Sequence, residues 1–138
     1  MEGGIAYERS PSMLAVLFLT ASLVFQFEPT WNELGSRLIS ADVDHDTIPV
    51  SAALGAVRAV KLTVQRSDVR FTRMILHFES GDSLELRLHQ LVPAGGETRT
   101  VRLKGAERAI RRVDFWYEPK TIGHRGALVE LVGREGKP

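Results

Sequence analysis

Residues 42–50, DVDHDTIPV, place a carboxylate at every second position: Asp42, Asp44 and Asp46, with His45 inside the run. Calcium takes six to eight hard oxygen ligands. Alternate side chains of an extended segment lie on one side, so this row is a candidate metal site, and calcium is the ion it would hold. A helix–loop–helix calcium site is excluded. Counted from Asp42, it would need glycine at its sixth position and glutamate at its twelfth, where the sequence has Thr47 and Ala53. The competing reading is a solvated strand end, with Val43 inward and one aspartate capping a turn. His45 between carboxylates has the composition of an oriented general base. Neighbours in a strand point to opposite faces, however, which would turn His45 away from Asp44 and Asp46.

The second candidate lies in 109–118, AIRRVDFWYE. Alternation puts Val113, Phe115 and Tyr117 on one face and Arg112, Asp114 and Trp116 on the other. An exposed tryptophan among charged groups is how sugar-binding surfaces are made: the ring stacks and the charged groups bond hydroxyls. Otherwise Trp116 fills a core or lies under a loop, with Arg112 laid over it. The segment GHRG, 123–126, is either an anion-holding loop using backbone N–H groups and Arg125 or a plain turn. His77, His89 and His124 show no metal-ligand spacing.

Little else points to chemistry. There is no cysteine, which excludes disulfides, thiolate metal sites and a cysteine nucleophile. No G-x-S-x-G, P-loop or G-x-G-x-x-G occurs. Arginines number 14 and lysines 4, yet the 18 bases meet 17 acids for a net charge of +1, so no general polyanion-binding surface and no nucleic-acid partner is implied.

The elements that must carry these residues read as short strands. Period-2 alternation recurs in 57–64, where Val60, Leu62 and Val64 oppose Lys61 and Thr63. It recurs in 69–78 and in 83–91, where Leu84, Leu86 and Leu88 alternate with Glu85, Arg87 and His89. The linker ESGDS, 79–83, is a turn around Gly81 and Asp82. A hairpin results in which Phe78 faces Leu84, Leu76 faces Leu86 and Met74 faces Leu88, setting His77 against Glu85 and Arg73 against His89. Residues 31–40, 98–103, 109–118 and 125–133 supply further strands. Residues 47–56 are ambiguous: Pro49 excludes a central strand, and a helical turn over 52–55 fits. About seven strands separated by turns predict an all-β antiparallel sandwich, jelly-roll-like.

The first 27 residues are a different material. Residues 13–27, MLAVLFLTASLVFQF, carry no charge, and Met13, Leu14, Leu17, Phe18, Leu19, Leu23, Val24 and Phe25 make them strongly apolar. As a helix the run spans roughly 22 Å, short of a ~30 Å hydrocarbon core. It fits a cleaved signal peptide, an uncleaved signal anchor or a buried N-terminal element. The division expected is 1–27 as leader and 28–138 as the β domain.

The segments LGSR (34–37), DVDHDTIPV (42–50), PAGGETR (93–99) and RAIRRVDFWYE (108–118) resemble a family of small exported bacterial proteins carrying a domain of uncharacterised function. The resemblance implies a leader followed by a compact β domain, and no activity or cofactor comes with it. The expectation is a non-catalytic binding or structural module of the bacterial envelope, periplasmic or extracellular or held at the inner membrane by its N-terminal segment alone. Its partner would be an envelope protein or a glycan. Calcium or carbohydrate binding, through the aspartate row or Trp116, is the alternative, and a hydrolase built on His45 is more distant.

Overall fold

The computed structural model describes residues 30–51, 56–105 and 107–135. Among the described residues nine strands follow one another: β1 (Trp31–Ile39), β2 (His45–Pro49), β3 (Ala56–Val57), β4 (Ala59–Gln65), β5 (Val69–Phe78), β6 (Ser83–Val92), β7 (Val101–Arg102), β8 (Arg108–Tyr117) and β9 (Ala127–Arg134). They form two antiparallel sheets, β1-β9-β4-β7 and β2-β8-β5-β6, with β3 pairing β8 beside β2. The expected sandwich is therefore present. The count exceeds seven because β2 forms in and before the segment left ambiguous and the two-residue β3 precedes β4; the strand expected over 98–103 shortens to the two residues of β7. The leader and the helical turn expected over 52–55 lie outside the described residues. Among the described residues, no helix is long and apolar enough to cross a membrane.

Alternation decides what lies between the sheets. Val60, Leu62 and Val64 of β4 are fully buried, as are Val129 and Leu131 of β9. They meet Phe71, Met74 and Leu76 of β5 and Val113 and Phe115 of β8 in one core. Phe71 and Phe115 pack edge to face at 6.0 Å. Truncating such a phenylalanine to alanine costs about 3–5 kcal/mol, so the inward residues of β8 fix where its outward residues stand. One polar side chain, Thr98, is buried among the described residues. Its hydroxyl accepts the Leu62 N–H at 3.0 Å and donates to the Arg99 carbonyl at 3.1 Å.

The β5–β6 hairpin forms with a register two residues away from the expected one. Leu76 faces Leu84, Met74 faces Leu86 and Arg73 faces Arg87. The cause is a tighter turn: the Phe78 N–H donates to the Asp82 carbonyl, and Gly81 takes φ +97°. A shift of two residues keeps every side chain on its own face, so alternation alone could not separate the two pairings. A bulge between Phe71 and Arg73 then offsets the far end of the ladder.

At the other side of the sandwich, edge strands β1 and β2 approach closely. A Cβ at Gly35 would sit 2.6 Å from the Pro49 carbonyl oxygen, so only glycine lets the two sheets close there. Pro49 ends the edge strand β2, where its missing N–H costs no ladder bond.

Candidate ligand-binding surface

The outer face of the five-stranded sheet gathers side chains from four strands into rows. At one level the ladder aligns His45 of β2, Trp116 of β8, Arg73 of β5 and Arg87 of β6. The next row is Thr47, Asp114, Ile75 and Glu85, and the one after it Pro49, Arg112, His77 and Ser83. Arg112, Asp114 and Trp116 thus share this face, as their alternation requires.

Trp116 is half-buried, and side chains of the neighbouring strands pack against its ring. The His45 ring stacks beside it, centroids 5.8 Å apart and planes 20° apart. The Arg73 guanidinium lies over the indole at 3.9 Å from its centroid, a cation–π contact. Arg112 does not cover Trp116. It belongs to Asp114, its Nε 3.7 Å from Oδ1. Arg73 is also paired with Glu85, Nη1 to Oε2 at 3.3 Å. Thr72, Arg73, Glu85, Arg87, His89 and Trp116 line an open depression of about 330 Å³. Arg99, from the loop between β6 and β7, donates to the Leu88 and Arg87 carbonyls at 3.1 and 2.8 Å. It caps the free edge of β6 and holds the backbone that presents Arg87.

Asp114 is the polar hub of the face. The Thr47 hydroxyl donates to Oδ1 at 2.6 Å, and His77 Nε2–H donates to Oδ2 at 2.8 Å. Burial alone would raise the carboxyl's pKa. The bonds from Thr47 and His77, then the charges of His77 and Arg112, outweigh it and hold Asp114 below the ordinary value. Asp114 is therefore a fixed anion that orients its neighbours.

The three aspartates of the opening run do not converge. Residues 41–42 form a turn, and the extended conformation starts only at His45. Asp42 accepts from the Ser40 hydroxyl at 3.4 Å, and Asp44 Oδ1 meets His45 Nδ1 at 3.1 Å. Asp46 faces the other way, binding Arg37 Nε of β1 at 2.9 Å and clamping the two sheets together. Among the described residues, no three acidic or histidine side chains gather where they would hold one metal ion. Val43 is exposed rather than inward. His45 and Asp44 touch because Asp44 precedes the strand, where face alternation does not apply. In GHRG, the Gly123 N–H donates to Ser67 Oγ at 2.9 Å and the Gly126 N–H to the Gly123 carbonyl at 3.0 Å, so those donors are used in a turn.

Trp116, Asp114 and Arg112 stood out in the sequence. Arg73, Glu85, Arg87 and His89 did not, because only the correct register carries them to Trp116. The available signal was the outward set Glu85, Arg87 and His89 of β6, which alternation had already placed opposite the core.

A family model described as Domain of unknown function (DUF2541) matches residues 12–133. No curated protein matches the chain. Among solved structures, the chain is similar to Pseudomonas aeruginosa AlgX at 12% identity and a TM-score of 0.48, covering 74% of this chain and 26% of that one. The chain thus spans about a quarter of AlgX. It is similar to a mutant of the family 29 carbohydrate binding module CBM29-2 complexed with cellulohexaose, at 12% identity and TM-score 0.39, covering 80% and 94% of the two chains. CpGH89CBM32-4 from Clostridium perfringens is similar at 13% identity and TM-score 0.38, covering 79% and 96%.

Proposed function

The chain belongs to the DUF2541 family, and on that premise we propose that it is a non-catalytic binding module of the bacterial envelope whose ligand is a glycan. The single observation that carries this reading is the row His45–Trp116–Arg73–Arg87, an aromatic platform flanked by hydrogen-bonding groups beside a depression of about 330 Å³. That volume is at the low end for ligand pockets, about 300–1,000 Å³. Indole stacks on the apolar face of a sugar ring, and the charged groups around it reach the hydroxyls.

The strand order β1-β9-β4-β7 over β2-β8-β5-β6 supports the jelly-roll reading. Lectin domains and cupins share that architecture, so the site and not the fold must decide function. Binding is favoured over hydrolysis because, among the described residues, no hydroxyl is joined to the histidine of either the Asp44–His45 or the Asp114–His77 pair. Thr47 donates its proton to Asp114. The apolar run 13–27 supports export or anchoring, by a cleaved signal peptide or an uncleaved anchor.

The test is a titration of the protein with a panel of oligosaccharides, followed by calorimetry, on wild type and Trp116→Ala. Because Trp116 lies on the outer face, the variant keeps its cooperative melt. Binding by wild type that weakens at least about tenfold in the variant, about 1.4 kcal/mol, supports the reading. Equal binding by both proteins, or no heat from any oligosaccharide, refutes it.

A further inference from the structure

We infer that the glycan bound at the Trp116 face is acidic, its carboxylate or sulfate seated between Arg87 and Arg73. This rests on the glycan-binding reading above and adds the chemical class.

The argument begins with a conflict in the ladder. Arg73 and Arg87 stand directly opposite on adjacent strands. Such residues have Cβ atoms about 5 Å apart, and like charges there destabilise the sheet. One carboxylate in the depression answers them: Glu85, engaged by Arg73 at 3.3 Å. Every other acid around the rim is committed elsewhere. Asp114 serves Thr47, His77 and Arg112. Asp44 meets His45, and Glu118 lies 3.6 Å from Arg70. Arg87 is exposed and has no ion-pair partner among the described residues. Arg99, behind it, spends its guanidinium on backbone carbonyls and meets no carboxylate among the described residues. Two guanidiniums in the depression, those of Arg73 and Arg87, therefore face one carboxylate, and neither can shed its proton.

That surplus is local, since the whole chain carries a net charge of only +1. A neutral sugar would use Glu85 and leave the surplus in place. An acidic sugar stacked on Trp116 would compensate it, and the planar fork of arginine matches a carboxylate through two parallel bonds. Arg73 lies over the indole at 3.9 Å and lines the depression, so a sugar that reaches the ring would displace its guanidinium sideways, toward the acidic substituent. His89 adds a further donor on the same wall.

The experiment is calorimetric titration of the full chain with oligogalacturonate, a sulfated dextran oligosaccharide and a neutral cello-oligosaccharide, at low and high salt. Wild type should bind an acidic oligomer at least about tenfold more tightly than the neutral one, with the advantage shrinking as salt screens it. Preference for the carboxylated or the sulfated oligomer assigns the anion. Arg87→Ala should abolish the preference while melting at or above wild type, since it relieves the like-charge pair, and Trp116→Ala should weaken all binding. Equal affinity for neutral and acidic oligomers, an Arg87→Ala variant that keeps the preference, or equally tight binding of single-stranded DNA overturns the inference while leaving the platform. Failure of all three oligosaccharides to bind removes the glycan reading itself.

Discussion

Replacing Asp114 with alanine tests whether the outer face is a built site or a set of solvated side chains. The carboxylate accepts two short bonds, from Thr47 at 2.6 Å and His77 at 2.8 Å, and its side chain is 20% exposed. Hydrogen bonds to a charged group are worth about 1.5–3 kcal/mol each. Water reaches the vacated space and recovers part of this, so the net loss is about 2 kcal/mol. For a domain near 100 residues that lowers Tm by roughly 10 °C. The effect has a pH signature. The carboxyl's pKa is lower in the folded protein than in the unfolded chain, so its contribution is complete above the unfolded value, about 3.9, and is lost as pH falls through the folded value. The gap between wild type and Asp114→Ala should be full at pH 7 and close progressively below about pH 4. Calorimetric melts of both proteins across that range provide the measurement. A gap under about 0.5 kcal/mol at pH 7, or one that does not change with pH, would refute the description of Asp114 as a fixed anion.

Thr98→Val should cost about 1–3 kcal/mol in urea denaturation, because the buried Leu62 N–H loses its acceptor. Thr98→Ser should retain most of that stability. On the opposite sheet, the Glu130 pKa is raised by its hydrogen bond with Glu33, by burial and by the Glu33 charge. The folded protein therefore holds that proton more tightly than the unfolded chain does, and stability is lost as pH rises through the folded value. Glu130→Gln should accordingly melt higher than wild type at pH 7, with the difference vanishing in acid. Millimolar calcium should leave Tm unchanged, since Asp42, Asp44 and Asp46 serve three separate partners. A rise in Tm that Asp44→Ala abolishes would contradict this.

Most of the fold was legible because alternation is a property of single strands. Val113, Phe115 and Tyr117 are buried, and Arg112, Asp114 and Trp116 face outward, as their spacing requires. Pro49, lacking an N–H, excludes a central place for its segment, and β2 stands at a sheet edge. What depends on pairing was less legible. Leu76 against Leu84 and Leu76 against Leu86 satisfy the same hydrophobic rule, and only the tight turn at Gly81 chooses between them. That choice decides whether Arg73 faces His89 or Arg87, and so whether a cationic pair exists beside Trp116. The aspartate run misled through its backbone. Residues 42–44 precede the strand, so alternation does not govern them, and Asp46 is drawn off by Arg37 from the other sheet, a contact no local pattern encodes.

The most direct measurement of the central claim is the emission of Trp116 itself during titration with oligogalacturonate. Trp31 lies apart, on the other sheet, between Lys61 and Arg134, so Trp31→Phe leaves Trp116 as the sole reporter. A saturable change in its emission that is lost in the Arg87→Ala background is the predicted result. Emission that stays constant while calorimetry shows the oligomer bound would place the binding surface elsewhere and contradict the account.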